Sequence, residues 1–153
     1  MTPQQTSEMV LTKTITVPLS VEDAFRLYTE EIATWWPVST HSVEKEDAET
    51  VVFEPGEGGR IYERTKSGDE HVWGIVLTWD PPNRIVQSWY PSRGEDTAQE
   101  VEIRFEPDGS GTRVELVHTG WETLGDRAAE VYRNYDTGWD YVLGKYGDAA
   151  VGA

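Results

Sequence analysis

Eight residues of this sequence could line or work a small-molecule site: Trp36, Phe53, Tyr62, Trp73, Trp89, His118, Tyr135 and Trp139. Each falls at a strand or helix position that can face inward. Large aromatic side chains bury roughly 150–250 Å² apiece, and buried Trp and Tyr bring an N–H or O–H that seeks a partner. Together they would suit an apolar ligand with one polar end. His118 follows Val114 and Leu116 at alternate positions, so its imidazole is predicted to point inward. There it could exchange a proton with a bound ligand, although such a residue is more often a satisfied core histidine. The remaining chemistry is sparse. His41, His71 and His118 lack the spacing of a zinc motif, so no metal site is expected. With no cysteine there is neither a disulfide nor a thiolate. Glu100, Glu102, Arg104 and Glu106 share one polar strand face and read as solvated charges. No nucleophile elbow and no phosphate loop is present, so acyl and phosphoryl transfer are not indicated and no cofactor is expected.

The elements that must position these residues are legible from periodicity. Ala128, Val131, Tyr132, Tyr135, Trp139, Val142, Leu143 and Tyr146 recur at steps of three and four, predicting an amphipathic helix over 124–146 with an aromatic stripe. Gly138 lies within that stripe, where a glycine costs about 1 kcal/mol against alanine. Its presence suggests close packing or space beside Trp139. Residues 11–17 alternate Leu11, Lys13, Ile15 and Val17 against threonines and read as a first strand. Ser20 is an N-cap for a helix carrying Val21, Ala24, Phe25, Leu27 and Tyr28. A second helical piece over 30–36 delivers Trp35 and Trp36 to a loop that begins at Pro37 and contains His41. Six further strands are predicted over 50–54, 60–66, 71–79, 84–90, 99–106 and 112–119, joined by Gly-, Pro- and Asp-rich turns. In the third of these, Trp73, Ile75, Leu77 and Trp79 are placed on one face. Consecutive strands with short turns make an antiparallel meander. The expectation is one α+β domain over 1–153, with its core at about 11–146.

Composition narrows the partners. The 153 residues carry 28 acidic and 13 basic side chains, a formal charge of −15. That balance disfavours nucleic acid and anionic membrane surfaces, both of which need clustered Lys and Arg. Residues 1–9 are polar and no apolar run approaches a membrane span, so a cytoplasmic location is expected. Seven Trp and seven Tyr will fill whatever interior exists. An empty void of ~300 Å³ would cost on the order of 7 kcal/mol, so a real cavity should be partly filled by side chains, water or ligand.

The ordered motifs resemble a known family. Val17-Pro18 with 21–25, the Trp35-Trp36 pair, Phe53-Glu54-Pro55-Gly56 with Gly58-Gly59, Gly74, Asp80-Pro81-Pro82 with Arg84, Gly111-Thr112, His118 with Gly120-Trp121, and Gly138-Trp139 are similar to homologues of the heat-shock protein 90 ATPase activator. That family lies within the START and birch-pollen-allergen (SRPBCC) superfamily. The resemblance implies a helix-grip fold, a curved antiparallel sheet of about seven strands closing on the C-terminal helix with a cavity between. It also implies binding of a small hydrophobic or amphipathic molecule, or of a protein partner. Three functions follow as expectations: a non-catalytic ligand binder, a stress-related co-chaperone-like module acting through its acidic surface, and a cyclase- or hydrolase-like enzyme using His118.

Overall fold

The computed structural model describes residues 9–90 and 97–152. The polar N-terminus and the loop expected after residue 90 fall largely at 1–8 and 91–96, outside the described residues. Seven strands form one antiparallel sheet: β1 Leu11–Val17, β2 Ala48–Phe53, β3 Arg60–Thr65, β4 Glu70–Asp80, β5 Arg84–Trp89, β6 Gln99–Asp108 and β7 Gly111–Thr119. Their order is β1-β7-β6-β5-β4-β3-β2, so the last six run as a meander and β1 closes against the last of them. The α+β helix-grip architecture expected from the sequence is the one observed.

The inner face follows the alternation. Ile103 of β6 pairs with Ile85 on one side and Leu116 on the other, and all three are fully buried. One step along, Val101 pairs with Gln87 and His118. On β4 the parity changes. A register shift between Ile61 and Tyr62 opposite this strand leaves Trp73 as an extra residue between Val72 and Gly74. A second shift falls between Val76 and Thr78. Bulges of this kind re-aim side chains. Trp73 is buried while Leu77, expected on the same face, is 45% exposed. Gly74 fits because a Cβ there would lie 1.8 Å from the Ser88 carbonyl oxygen.

Helix α1, Val21–Tyr28, starts where Ser20 Oγ accepts the Asp23 N–H at 3.1 Å, as the cap residue predicted. Its buried side, Ala24, Phe25, Leu27 and Tyr28, faces the core. Residues Ile32–Thr34 form only a short 3-10 turn. The long helix α2 spans Ala128–Gly152, later at both ends than the expected 124–146. Gly125, at φ 57 and ψ −126, kinks the chain within the 3-10 segment Trp121–Arg127 that precedes α2. Beyond residue 146, α2 continues because alanines favour helix and Ala150 is buried. At ~1.5 Å per residue the helix is about 37 Å long and lies across the curled sheet.

Specific ties fix its pose. Lys13 on β1 makes ion pairs with Asp136, at 2.5 Å, and Asp140, at 3.1 Å. Tyr146 Oη donates to the Ala24 carbonyl at 2.8 Å, fully buried. Tyr146→Phe should therefore cost about 1 kcal/mol in urea unfolding, the net worth of one such bond. An unchanged midpoint would show that the bond holds nothing together.

Candidate functional site

A cavity of about 440 Å³ opens between the loop 37–47, the inner face of β4 and β5, and the middle of α2. Its walls are built by four tryptophans from four elements: Trp36 after the 3-10 turn, Trp73 on β4, Trp89 on β5 and Trp139 on α2. Their ring centroids are close: 5.1 Å for Trp36–Trp73, 5.8 Å for Trp73–Trp89, 5.5 Å for Trp89–Trp139 and 6.1 Å for Trp36–Trp139. All four rings are buried.

Every one of these indole N–H groups is already taken within the protein. Trp36 donates to the His41 carbonyl at 2.8 Å, Trp73 to Glu63 Oε1 at 2.7 Å, Trp89 to Tyr135 Oη at 3.0 Å and Trp139 to His118 Nδ1 at 3.0 Å. A ligand would therefore meet the π faces of the indoles and not their donors. The sequence reading had those donors serving the ligand's polar end; the hydrogen bonds assign them to the scaffold instead. Polar groups gather at the opening, where Thr40, Lys45 and Asn134 are exposed and His41 and Ser42 half-buried.

The eight residues singled out in the sequence divide. Trp36, Trp73, Trp89, Tyr135 and Trp139 line the cavity. Phe53 packs elsewhere in the core, 6.2 Å from Trp79 by ring centroids. Tyr62 lies on the opposite face of the sheet, its ring 4.3 Å beneath the Arg60 guanidinium. Ile61 and Glu63 take the inward positions on either side of it, and Glu63 is fully buried. His118 sits behind the wall, fully buried and stacked 4.2 Å from Trp121. Because an indole can only donate, His118 Nδ1 is the acceptor for Trp139 and the ring proton must sit on Nε2. There it donates to Gln99 Oε1 at 2.6 Å. Burial pushes its pKa down to about 3. A neutral ring with both nitrogens engaged inside the protein has no free position to trade a proton with a ligand in this cavity, so the acid–base role considered for it finds no geometry here.

Sequence reasoning missed the loop. Thr40, His41, Ser42, Val43 and Lys45 all line the cavity, yet they lie in a stretch without periodicity. Glu63 is what holds them there. Its carboxylate accepts the N–H groups of Val43 at 2.6 Å and Glu44 at 2.8 Å, besides the Trp73 indole. Gly138 was the readable signal on α2. It lines the cavity, and a Cβ added there would meet only His41 Cδ2, at 3.9 Å.

The profile of the family described as Activator of Hsp90 ATPase homolog 1-like protein matches residues 18–146. The chain belongs to this family. Among solved structures, this activator-like chain is similar to an anthrahydroquino-gamma-pyrone synthase, Txn09, at 39% identity over 83% of this chain and 86% of that one, with a TM-score of 0.58. It is also similar to the self-sacrificing resistance protein CalC from Micromonospora echinospora, at 27% identity over 94% and 95% of the two chains, TM-score 0.69. The Aha1 dimer from Colwellia psychrerythraea shares the fold at 18% identity, covering 93% and 96%, TM-score 0.63. Among curated proteins no significant match is found. Among the described residues of this family member, no helix is long and apolar enough to cross a membrane, and no group of three or more His, Cys, Asp or Glu could hold a metal ion.

Proposed function

We propose that this protein binds a small, flat, polycyclic aromatic molecule in the indole-walled cavity, with a polar edge of the ligand at the opening. One observation carries the reading. Four tryptophans packed on one another form one side of about 440 Å³ of space while their N–H groups are all satisfied by the scaffold. Such walls recognise a π surface by stacking, worth about 0.5–1.5 kcal/mol per ring pair beyond the area buried. An aliphatic ligand would gain the burial without the stacking. The 39% identity to an anthrahydroquino-gamma-pyrone synthase supports a fused-ring aromatic ligand of that kind. The reading is of binding and orientation, since the described lining residues are chiefly aromatic and apolar.

The test uses a hydroxylated anthraquinone as probe and the intrinsic tryptophan fluorescence as signal. Wild type should show saturable quenching, and probe at 100 times its dissociation constant should stabilise the fold by about 2.7 kcal/mol. Gly138→Leu places a side chain into the cavity and should weaken binding at least tenfold. Gly138→Ala, which meets only an ordinary 3.9 Å contact, should bind nearly as wild type. Quenching that is unsaturable, or indifferent to Gly138→Leu, would refute the cavity as the site.

A further inference from the structure

The cavity's apolar walls leave open what its mouth selects, and a cation without an ion pair among the described residues stands at that mouth. At a formal charge of −15, the protein as a whole repels anions. Most described basic side chains are consumed by carboxylates: Lys13, Arg26, Arg60, Arg64, Arg84, Arg104, Arg113 and Arg127 each have one within 4 Å. Lys45 lines the cavity opening and is exposed. Among the described residues no carboxylate lies within that distance of its ammonium. Of the nearby carboxylates, Glu44 pairs with His71 at 3.3 Å, Glu46 and Asp47 are exposed beside Lys45 without pairing with it, and Glu63 is buried and takes the Val43 and Glu44 amides.

The backbone presents Lys45 deliberately. Its φ of 48 is the one positive value at a non-glycine among the described residues. A side chain in that region is strained. The conformation is held because Lys45 N–H donates to Ser42 Oγ at 2.8 Å, and Ser42 Oγ in turn donates to the Val38 carbonyl at 2.5 Å. Beside it stands His41. Its Nδ1 is bonded to Thr40 Oγ1 at 2.8 Å, and its ring stacks on Tyr141 at 4.8 Å and 13°. The ring's Cδ2 lies nearest Gly138, so the plane is fixed and the Nε2 edge has no partner among the described residues. Burial, and then the Lys45 ammonium, lower the proton affinity of His41, which keeps it a neutral polar group at pH 7.

We propose that Lys45 and His41 form an anion subsite at the cavity mouth, so that the preferred aromatic ligand carries an ionised oxygen, carboxylate or phenolate, at one edge. This rests on the binding reading above. Lys45 supplies the charge, and His41 supplies an oriented hydrogen bond from the ring's far edge. The subsite also gives the protein a way to accept an anion against its own field: the local cation sits where the ligand enters, within the roughly 8 Å over which charge acts at physiological salt.

The experiment compares three planar probes by tryptophan quenching: anthracene-9-carboxylate, alizarin followed through ionisation of its phenol, and the neutral anthracene-9-methanol. Wild type should bind the carboxylate or the phenolate roughly five- to tenfold more tightly than the neutral probe, with the preference shrinking as salt rises. Whichever anion gains more identifies the source of the charge. Lys45→Met keeps the length of the side chain and should abolish the preference, bringing the anionic probes to the affinity of the neutral one. If wild type binds all three alike, or if Lys45→Met preserves the preference, the subsite is wrong and the cavity reading stands. If none of the three binds wild type, both readings fail.

Discussion

Replacing Glu63 with alanine should cost about 3–5 kcal/mol of stability and release the loop 37–47 from the cavity. The residue sits at an inward position of β3, opposite Val51 on β2 and His71 on β4, with no exposure to solvent. Its three partners are all donors: the Val43 amide, the Glu44 amide and the Trp73 indole. Removing the carboxylate leaves these donors without an acceptor. Each buried orphan costs about 1–3 kcal/mol, less whatever water can recover. Glu63→Gln keeps one acceptor oxygen but turns an NH2 toward a donor, and should fall between wild type and alanine. The loss is read from urea unfolding, and its location from amide exchange at Val43 and Glu44, which should accelerate in step. Because the loop supplies Thr40, His41, Ser42, Val43 and Lys45 to the cavity wall, affinity for the aromatic probes should fall as well. A Glu63→Ala protein within about 1 kcal/mol of wild type, with those two amides still protected, would show that the carboxylate is incidental to the loop.

That residue also marks the boundary of what the sequence could reveal. The six-strand meander, the Ser20 cap and the aromatic stripe of α2 were readable because each rests on a local rule: alternation with short turns, a capping side chain, a helical period. Val101, Ile103 and Phe105 follow alternation and are all buried. The same rule misplaced Tyr62. In the run from Arg60 to Arg64 the aromatic residue is the natural inward choice and the glutamate the natural outward one. The fold inverts them, because Glu63 has three donors to satisfy and the Tyr62 ring is covered by the Arg60 and Arg64 guanidinium groups. A tertiary demand set the parity, and it originates in a loop twenty residues away. On β4 the alternation was interrupted by two register shifts, which no residue type announces. Trp36, Trp73, Trp89, Tyr135 and Trp139 could be gathered from the sequence as large rings at inward positions. His41 and Lys45 could not, because what an aperiodic loop covers depends on where it is pinned.

His118 carries the other large expectation. Acidification from pH 6.5 toward pH 3 should cost the wild-type protein stability that a His118→Gln protein does not lose, amounting to about 2 kcal/mol near pH 5 at ~1.4 kcal/mol per pH unit. An unfolded histidine takes up a proton near 6.5, whereas the folded one resists until about 3 because burial disfavours the charged ring. Between those values the unfolded state binds the extra proton, so stability rises with pH across the window and levels off above it. The immediate surroundings offer the cation no counter-charge. They are the Trp121, Tyr135 and Trp139 rings and the Gln99 amide, and protonation at Nδ1 would also strip Trp139 of its acceptor. Since Trp139 is a cavity wall, aromatic-probe affinity should weaken over the same pH range. Relief of the −15 charge acts on wild type and variant alike, so the informative quantity is their difference, measured by urea unfolding from pH 8 to 4.5. Glutamine can donate to Gln99 and accept from Trp139 without titrating. The variant should be less stable than wild type at pH 8 through lost ring packing, and the gap should close steadily below pH 6.5. A gap that stays constant across that range would mean that the folded His118 titrates normally, and that the Trp139–His118–Gln99 chain of bonds does not hold the ring neutral.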